Sequence, residues 1–179
     1  MNRKDLRQKV DELISSGIPK SEVFSRLSGN DVGDRTLAYA IAAHIDPRRC
    51  EAHRWRIRIL LVFAYVEVAF AFLVCLGAGM KLSPLAGLAA AIGGASLTFL
   101  FAWGFQRNNV AAYNAYLILT IGQAPNQLNN LSHAPMITGI RLAIGVGMYA
   151  YVWTLRKRLF PDVVFIGPRK VDGVYVFDD

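Results

Sequence analysis

Between residues 59 and 155 only four side chains carry a charge: Glu67, Lys81, Arg107 and Arg141. Of the 20 Lys and Arg, 12 precede residue 59 and five follow Leu155. A soluble domain interleaves apolar and polar residues at the period of its helices or strands, because each element shows one face to water. Here the two kinds are segregated along the chain. The protein is 54% hydrophobic and still carries a net charge of +7. Basic ends around a nearly uncharged middle are the pattern of a polytopic membrane protein.

A helix needs about 20 apolar residues to cross the hydrocarbon core. Residues 59–80, 84–105 and 136–155 meet that length, with Glu67 and Arg141 their only charges. Residues 109–123, "NVAAYNAYLILTIGQ", are shorter and contain Asn114. Charge placement resolves them. Cytoplasmic loops collect Lys and Arg, so the five Arg from Arg48 to Arg58 and the run Arg156-Lys157-Arg158 both belong inside. Two ends on one side require an even number of crossings, and residues 109–123 supply the fourth. Trp55, Trp103 and Trp153 then all fall at the cytoplasmic interface, where amphipathic rings are favoured.

The expectation is an all-α membrane protein built as a four-transmembrane-helix bundle in a cell inner membrane, both termini cytoplasmic. Residues 1–54 form a helical segment, 55–158 the bundle, and 159–179 a tail with a β-hairpin. The first apolar run lies far behind a polar N-terminus, so it is expected to serve as its own insertion signal and to stay.

At the N-terminus, "NRKDLRQKVDELISSG" has apolar residues at helical spacing and stops at Gly17. "PKSEVFSRL" and "RTLAYAIAAHI" read as two further helices. Leu13, Ile14, Val23, Phe24, Leu27, Leu37 and Ile41 are the expected core. The helix–Gly–helix cadence of "ELISSGIPKSEVFSRL" resembles DNA-binding helix pairs. Residues 1–30, though, hold six basic and four acidic side chains, which suits a helical cap or docking module and no nucleic-acid partner. In the tail, residues 163–166 and 174–177 are β-favouring runs around "GPRKVDG". An isolated hairpin is marginal in water, so it should pack on the N-terminal helices or on a partner.

The intramembrane polar residues Glu67, Arg141 and Asn114 are the first candidate sites. A charge near the bilayer centre costs on the order of 3 kcal/mol. Glu67 lies about 12 Å in from the cytoplasmic end of its span, and Arg141 about 8 Å in from the opposite face. Glu67 should turn toward the bundle interior, protonated or paired; Arg141, the only cation in the spans, starts from the opposite face, and Asn114, Tyr65, Tyr113 and Tyr116 compete with it as partners. The bland alternative is a polar clamp between helices, worth about 0.6 kcal/mol, and Arg141 has the further option of snorkelling to the outer interface. The outer loop "APNQLNNLSHAP" offers Asn126, Gln127, Asn129, Asn130 and His133 to an external partner, or is a solvated connector. Arg54, Arg56, Arg58, Arg156, Lys157 and Arg158 are placed to meet anionic lipid headgroups, at about 1 kcal/mol each. Small residues recur at Gly87, Ala90, Ala91, Gly94 and Ala95, and at Gly139, Ala143 and Gly147, a spacing that lets helix backbones approach closely.

No nucleophile elbow, zinc-binding HExxH, phosphate loop or dinucleotide fingerprint is present. Cys50 and Cys75 form neither a disulfide framework nor a metal spacing. No enzyme activity, cofactor or metal is expected. Two functions fit: a non-enzymatic binding protein, such as an immunity protein against a membrane-active toxin or an accessory subunit, and an oligomeric ion or proton channel or small transporter using Glu67. Membrane lipids and a protein partner or second copy are the expected contacts.

Overall fold

The computed structural model describes residues 2–29, 33–129, 135–165 and 167–178. It is mostly helical, with one two-stranded antiparallel sheet near the C-terminus. The chain divides into two compact units, residues 1–50 with 156–179 and residues 51–155.

In the first unit, α1 (Arg3–Ser15), α2 (Lys20–Leu27) and α3 (Asp34–Ala42) surround a small core, followed by the short α4 (Pro47–Ala52). Gly17 ends α1 at φ 88°, a backbone state that costs a glycine little. Its N–H bonds Ile14 O at 3.0 Å, and the next N–H, of Ile18, reaches back to Leu13 O at 3.3 Å. This paired closure satisfies carbonyls that the helix end leaves open. Leu6, Val10, Val23, Leu27, Leu37 and Ile41 are the buried centre. Leu13, Ile14 and Phe24, expected there, are half-buried around it. Leu6 and Val10, at helical spacing on the same α1 stripe but not among the expected core, supply the centre instead.

The tail packs on this core: Phe24 meets the rings of Tyr175 at 5.4 Å and Phe177 at 5.7 Å. Its hairpin differs from the expected one. β1 (Lys170–Val171) pairs with β2 (Val174–Tyr175), Val171 opposite Val174. Asp172 and Gly173, at φ 50° and 83°, form the two-residue turn that Asp-Gly favours in hairpins, and this turn sets the register. The run 163–166 does not form the partner strand. Val163 makes only an isolated bridge with Pro168, and residue 166 lies outside the described residues.

The second unit holds α5 (Arg54–Met80), α6 (Pro84–Gln106), α7 (Val110–Asn129) and most of α8 (Pro135–Leu159). Ser83 starts α6: its Oγ accepts from Ala86 N at 3.1 Å, with Pro84 at the first helical position. α5 and α6 pack through small residues. A Cβ on Gly79 would come within 2.7 Å of Gly87 Cα, and one on Gly87 within 3.0 Å of Met80 N. A Cβ on Gly94 would meet Cys75 Sγ at 2.5 Å. Gly79, Gly87 and the buried Ala91 are therefore a close-approach seam. The same logic turns α6 into α7, where a Cβ on Gly104 would collide with the Ala112 methyl. In the other small-residue row, on α8, Gly139 and Gly147 have open space where a Cβ would sit, among the described residues.

α5 and α6 are long and apolar enough to cross a membrane; on the described residues, α7 and α8 are not counted with them. Within their most apolar stretches only 11% of α5 and 17% of α6 is buried. The core helix of a soluble protein would be mostly covered. Burial in this unit is also lopsided. Ile57, Leu60 and Ala64 of α5, Ala102 and Phe105 of α6, Val110, Tyr113 and Leu117 of α7, and Met148, Val152 and Leu155 of α8 are buried. They gather at one end of the helices, where the Tyr151 hydroxyl donates to Arg56 O at 2.9 Å. Toward the other end, α5 and α6 pack on each other along the seam of Gly79, Gly87 and Ala91. There an apolar groove of about 200 Å³ separates α7 from α8, lined by Thr120, Ile121, Ala124, Leu142, Gly145 and Tyr149.

Candidate functional site

Glu67 sits where the packed end of the second unit gives way to the open end. Ala64, less than one turn earlier on α5, is buried, while Glu67 itself is exposed. The expectation that it turns inward is thus not met. The interior-facing positions of α5 are Ile57, Leu60 and Ala64, and Glu67 lies at the rim of that face. Tyr116 of α7 reaches it there, its hydroxyl donating to Oε1 over 3.4 Å. That bond is long and weak. Tyr116 is held by packing more than by this contact, edge-on to Phe101 at 6.0 Å and to Phe105 at 5.6 Å.

The other expected partners go elsewhere. Tyr65 donates to Gln106 Oε1 at 3.0 Å. Tyr113 is buried against Phe105, ring centroids 4.9 Å apart. Asn114 is half-buried, and its Oδ1 is covered without a hydrogen-bond partner among the described residues. Arg141 is helical, with its side chain outside the described residues. Of the outer-loop candidates, Asn126, Gln127 and Asn129 belong to α7, which runs on through Pro125. Their side chains, and Asn130 and His133 entirely, lie outside the described residues.

The basic candidates divide. Arg54, Arg56 and Arg58 are exposed on the first turns of α5 beside the exposed Trp55. Lys157 and Arg158 are exposed at the end of α8. Arg156 is not available to a headgroup, being 1% exposed. Its guanidinium caps the chain that follows, donating to Val163 O at 3.4 Å, Val164 O, and Phe165 O at 3.1 Å. Five donors in a rigid fork suit a turn with several open carbonyls.

Sequence reasoning missed the polar centre of the first unit. Asp162, 1% exposed, accepts from Lys20 Nζ at 2.6 Å and from Asp178 N at 2.7 Å. Its own carbonyl accepts from Arg169 N at 2.8 Å. Arg49 then holds Asp178 through a 2.7 Å ion pair, which keeps that carboxyl below its usual range. Cys50 lies half-buried nearby in sequence, its thiol pushed up by burial and by the charge of Asp46. A single acid after a helix gives no pattern to detect; only the "FPD" turn beside a basic run hints at it. Among the described residues no cluster of His, Cys, Asp and Glu is grouped to hold a metal ion.

Comparison of the chain with protein-family models, with curated proteins and with solved structures gave no match.

Proposed function

We propose that this is an integral inner-membrane protein in which α5 to α8 all cross the bilayer, with both flanks cytoplasmic. It acts without catalysis, by binding another protein inside the membrane. An immunity protein that neutralises a membrane-active toxin, or an accessory subunit of a membrane complex, has this character.

The carrying observation is the exposure of α5 and α6, many of whose large apolar side chains, Val62, Val66, Phe70, Leu73, Leu88 and Leu97 among them, point away from the rest of the unit. Water would penalise that surface at about 25 cal/mol per Å². Hydrocarbon does not. Threonines within the helices add support. Thr98 donates to Gly94 O and Ala95 O, Thr120 to Tyr116 O and Thr154 to Ala150 O, each hydroxyl satisfied by its own helix. The association of residues before α5 with residues after α8 in one unit favours an even number of crossings. Arg107 stacked over Trp103 at 4.2 Å suits the cytoplasmic interface.

Two experiments test the reading. Alkaline carbonate extraction with compartment-specific labelling of each terminus is expected to leave the protein in the membrane fraction with both ends cytoplasmic. A chain released into the aqueous fraction, or ends on opposite sides, would sink it. Glu67→Gln in reconstituted vesicles is expected to leave ion and proton flux at the protein-free level, as in the wild type. Flux carried by the wild type and lost in Glu67→Gln would favour a channel or transporter instead.

A further inference from the structure

We infer that the Glu67 face of α5 is a seat for a single transmembrane helix bearing a cationic side chain at matching depth. The inference rests on the membrane reading above and specifies the partner's chemistry. Phe63, Glu67, Phe70 and Val74 follow one another at steps of four, three and four residues. That is the repeat by which two helices pack along a shared seam. The apolar members are exposed, Phe63 at 49%, Phe70 at 61% and Val74 at 49%. Glu67 is exposed among them, with the 3.4 Å phenol of Tyr116 as its hydrogen-bond donor. A carboxyl facing hydrocarbon is ionised only with a counter-charge beside it, so a cation brought to it on a partner helix gains a charge-assisted bond. Two phenylalanine rings, one turn to either side, add π-faces that attract a cation. Carboxylate and rings on one helical stripe together select an Arg or Lys carried by a helix. The donor belongs about 12 Å, or eight residues, from the partner's cytoplasmic boundary.

The test uses the full chain in lipid nanodiscs, labelled for energy transfer to synthetic Leu-Ala transmembrane peptides. One peptide carries a single Arg eight residues from one end, a second carries it at the end itself, and a third has none. The Arg-8 peptide is expected to bind about tenfold more tightly than the other two. Glu67→Leu should erase that preference, Glu67→Gln should reduce it, and Phe63→Ala or Phe70→Ala should weaken all three peptides. Equal binding of the three peptides, or a preference that survives Glu67→Leu, would overturn the inference. So would Glu67-dependent pairing of two labelled copies that excludes the peptides, or binding of tetraphenylphosphonium with no peptide binding. Carbonate extraction of the same samples separates this failure from failure of the membrane reading, since Glu67→Leu removes a charge from the span and should stay inserted.

Discussion

The two units of this chain hide their polar groups and show their apolar ones in opposite ways. In the first unit Leu6, Val10, Val23 and Leu37 are enclosed, and buried charge fastens the periphery: Asp162 to Lys20 and to the Asp178 N–H beyond the last strand, Arg156 to three carbonyls. In the second unit many large apolar side chains of α5 and α6 point outward, and along the seam between those two helices, as at the turn into α7, small residues do the joining. Gly79 against Gly87, Cys75 against Gly94 and Ala112 against Gly104 bring backbones together with almost no polar contribution. On the membrane reading proposed above, the difference follows from the solvent. In water, enclosing Leu and Val is favourable and an ion pair must be well satisfied to be tolerated. In hydrocarbon, leucine gains nothing by leaving lipid, so close packing holds the helices.

The contrast breaks most easily at Asp162. Asp162→Ala strands Lys20 and frees the Asp178 N–H; removing one member of a buried pair costs about 3–5 kcal/mol. Tryptic cleavage at Arg169 and Lys170 should accelerate by orders of magnitude, while separation of α5 from α6 in denaturing detergent stays at the wild-type midpoint. Asp162→Asn should fall between. Gly87→Leu inverts the pattern. It drives a side chain into the Met80 backbone, an overpacking that costs about 1–3 kcal/mol. Label-to-label distance between α5 and α6 should increase in detergent, with the tail as protease-resistant as before. Gly147→Leu, on the open row of α8, should change either property by less than about 0.5 kcal/mol. The smallest effect belongs to Arg49 and Asp178 at the surface. The pair lowers the Asp178 carboxyl below its ordinary 3.8. Its contribution is therefore complete above that value and is lost as pH falls through the lower, folded-state value. Arg49→Ala should flatten this acid-side dependence of tail protection, and high salt should do the same to the wild type.

How much of this was legible depended on which physics wrote the signal. Residues 84–105 announced α6 nearly to the residue and residues 59–80 the end of α5, because apolar length is a one-dimensional property of the chain; the polar turn by which α5 begins at Arg54 carries no such signal. The start of α7 was readable from Asn109, but its end was not. Pro125 removes one N–H from the helix, yet α7 continues to Asn129. The hairpin was placed on the more hydrophobic run, whereas the Asp172-Gly173 turn decided the register. Glu67 was conspicuous as a lone acid; its outward aim depended on which face of α5 met α6, which no periodicity in an all-apolar helix reveals. Arg156 read as one of three like charges. Only the carbonyls of residues 163–165, brought back by the fold, distinguish it from Lys157 and Arg158.

Lys20 and Asp162 are 142 positions apart. At about 5–20 residues per second on the ribosome, the aspartate emerges roughly 7–30 s after the lysine it neutralises. During that interval the nascent α2 is without the counter-charge and tail aromatics that complete its unit. The buried centre of Leu6, Val10, Val23, Leu27, Leu37 and Ile41 lies wholly in the amino-terminal helices, so the tail's aspartate and rings close a unit whose apolar core is already synthesised.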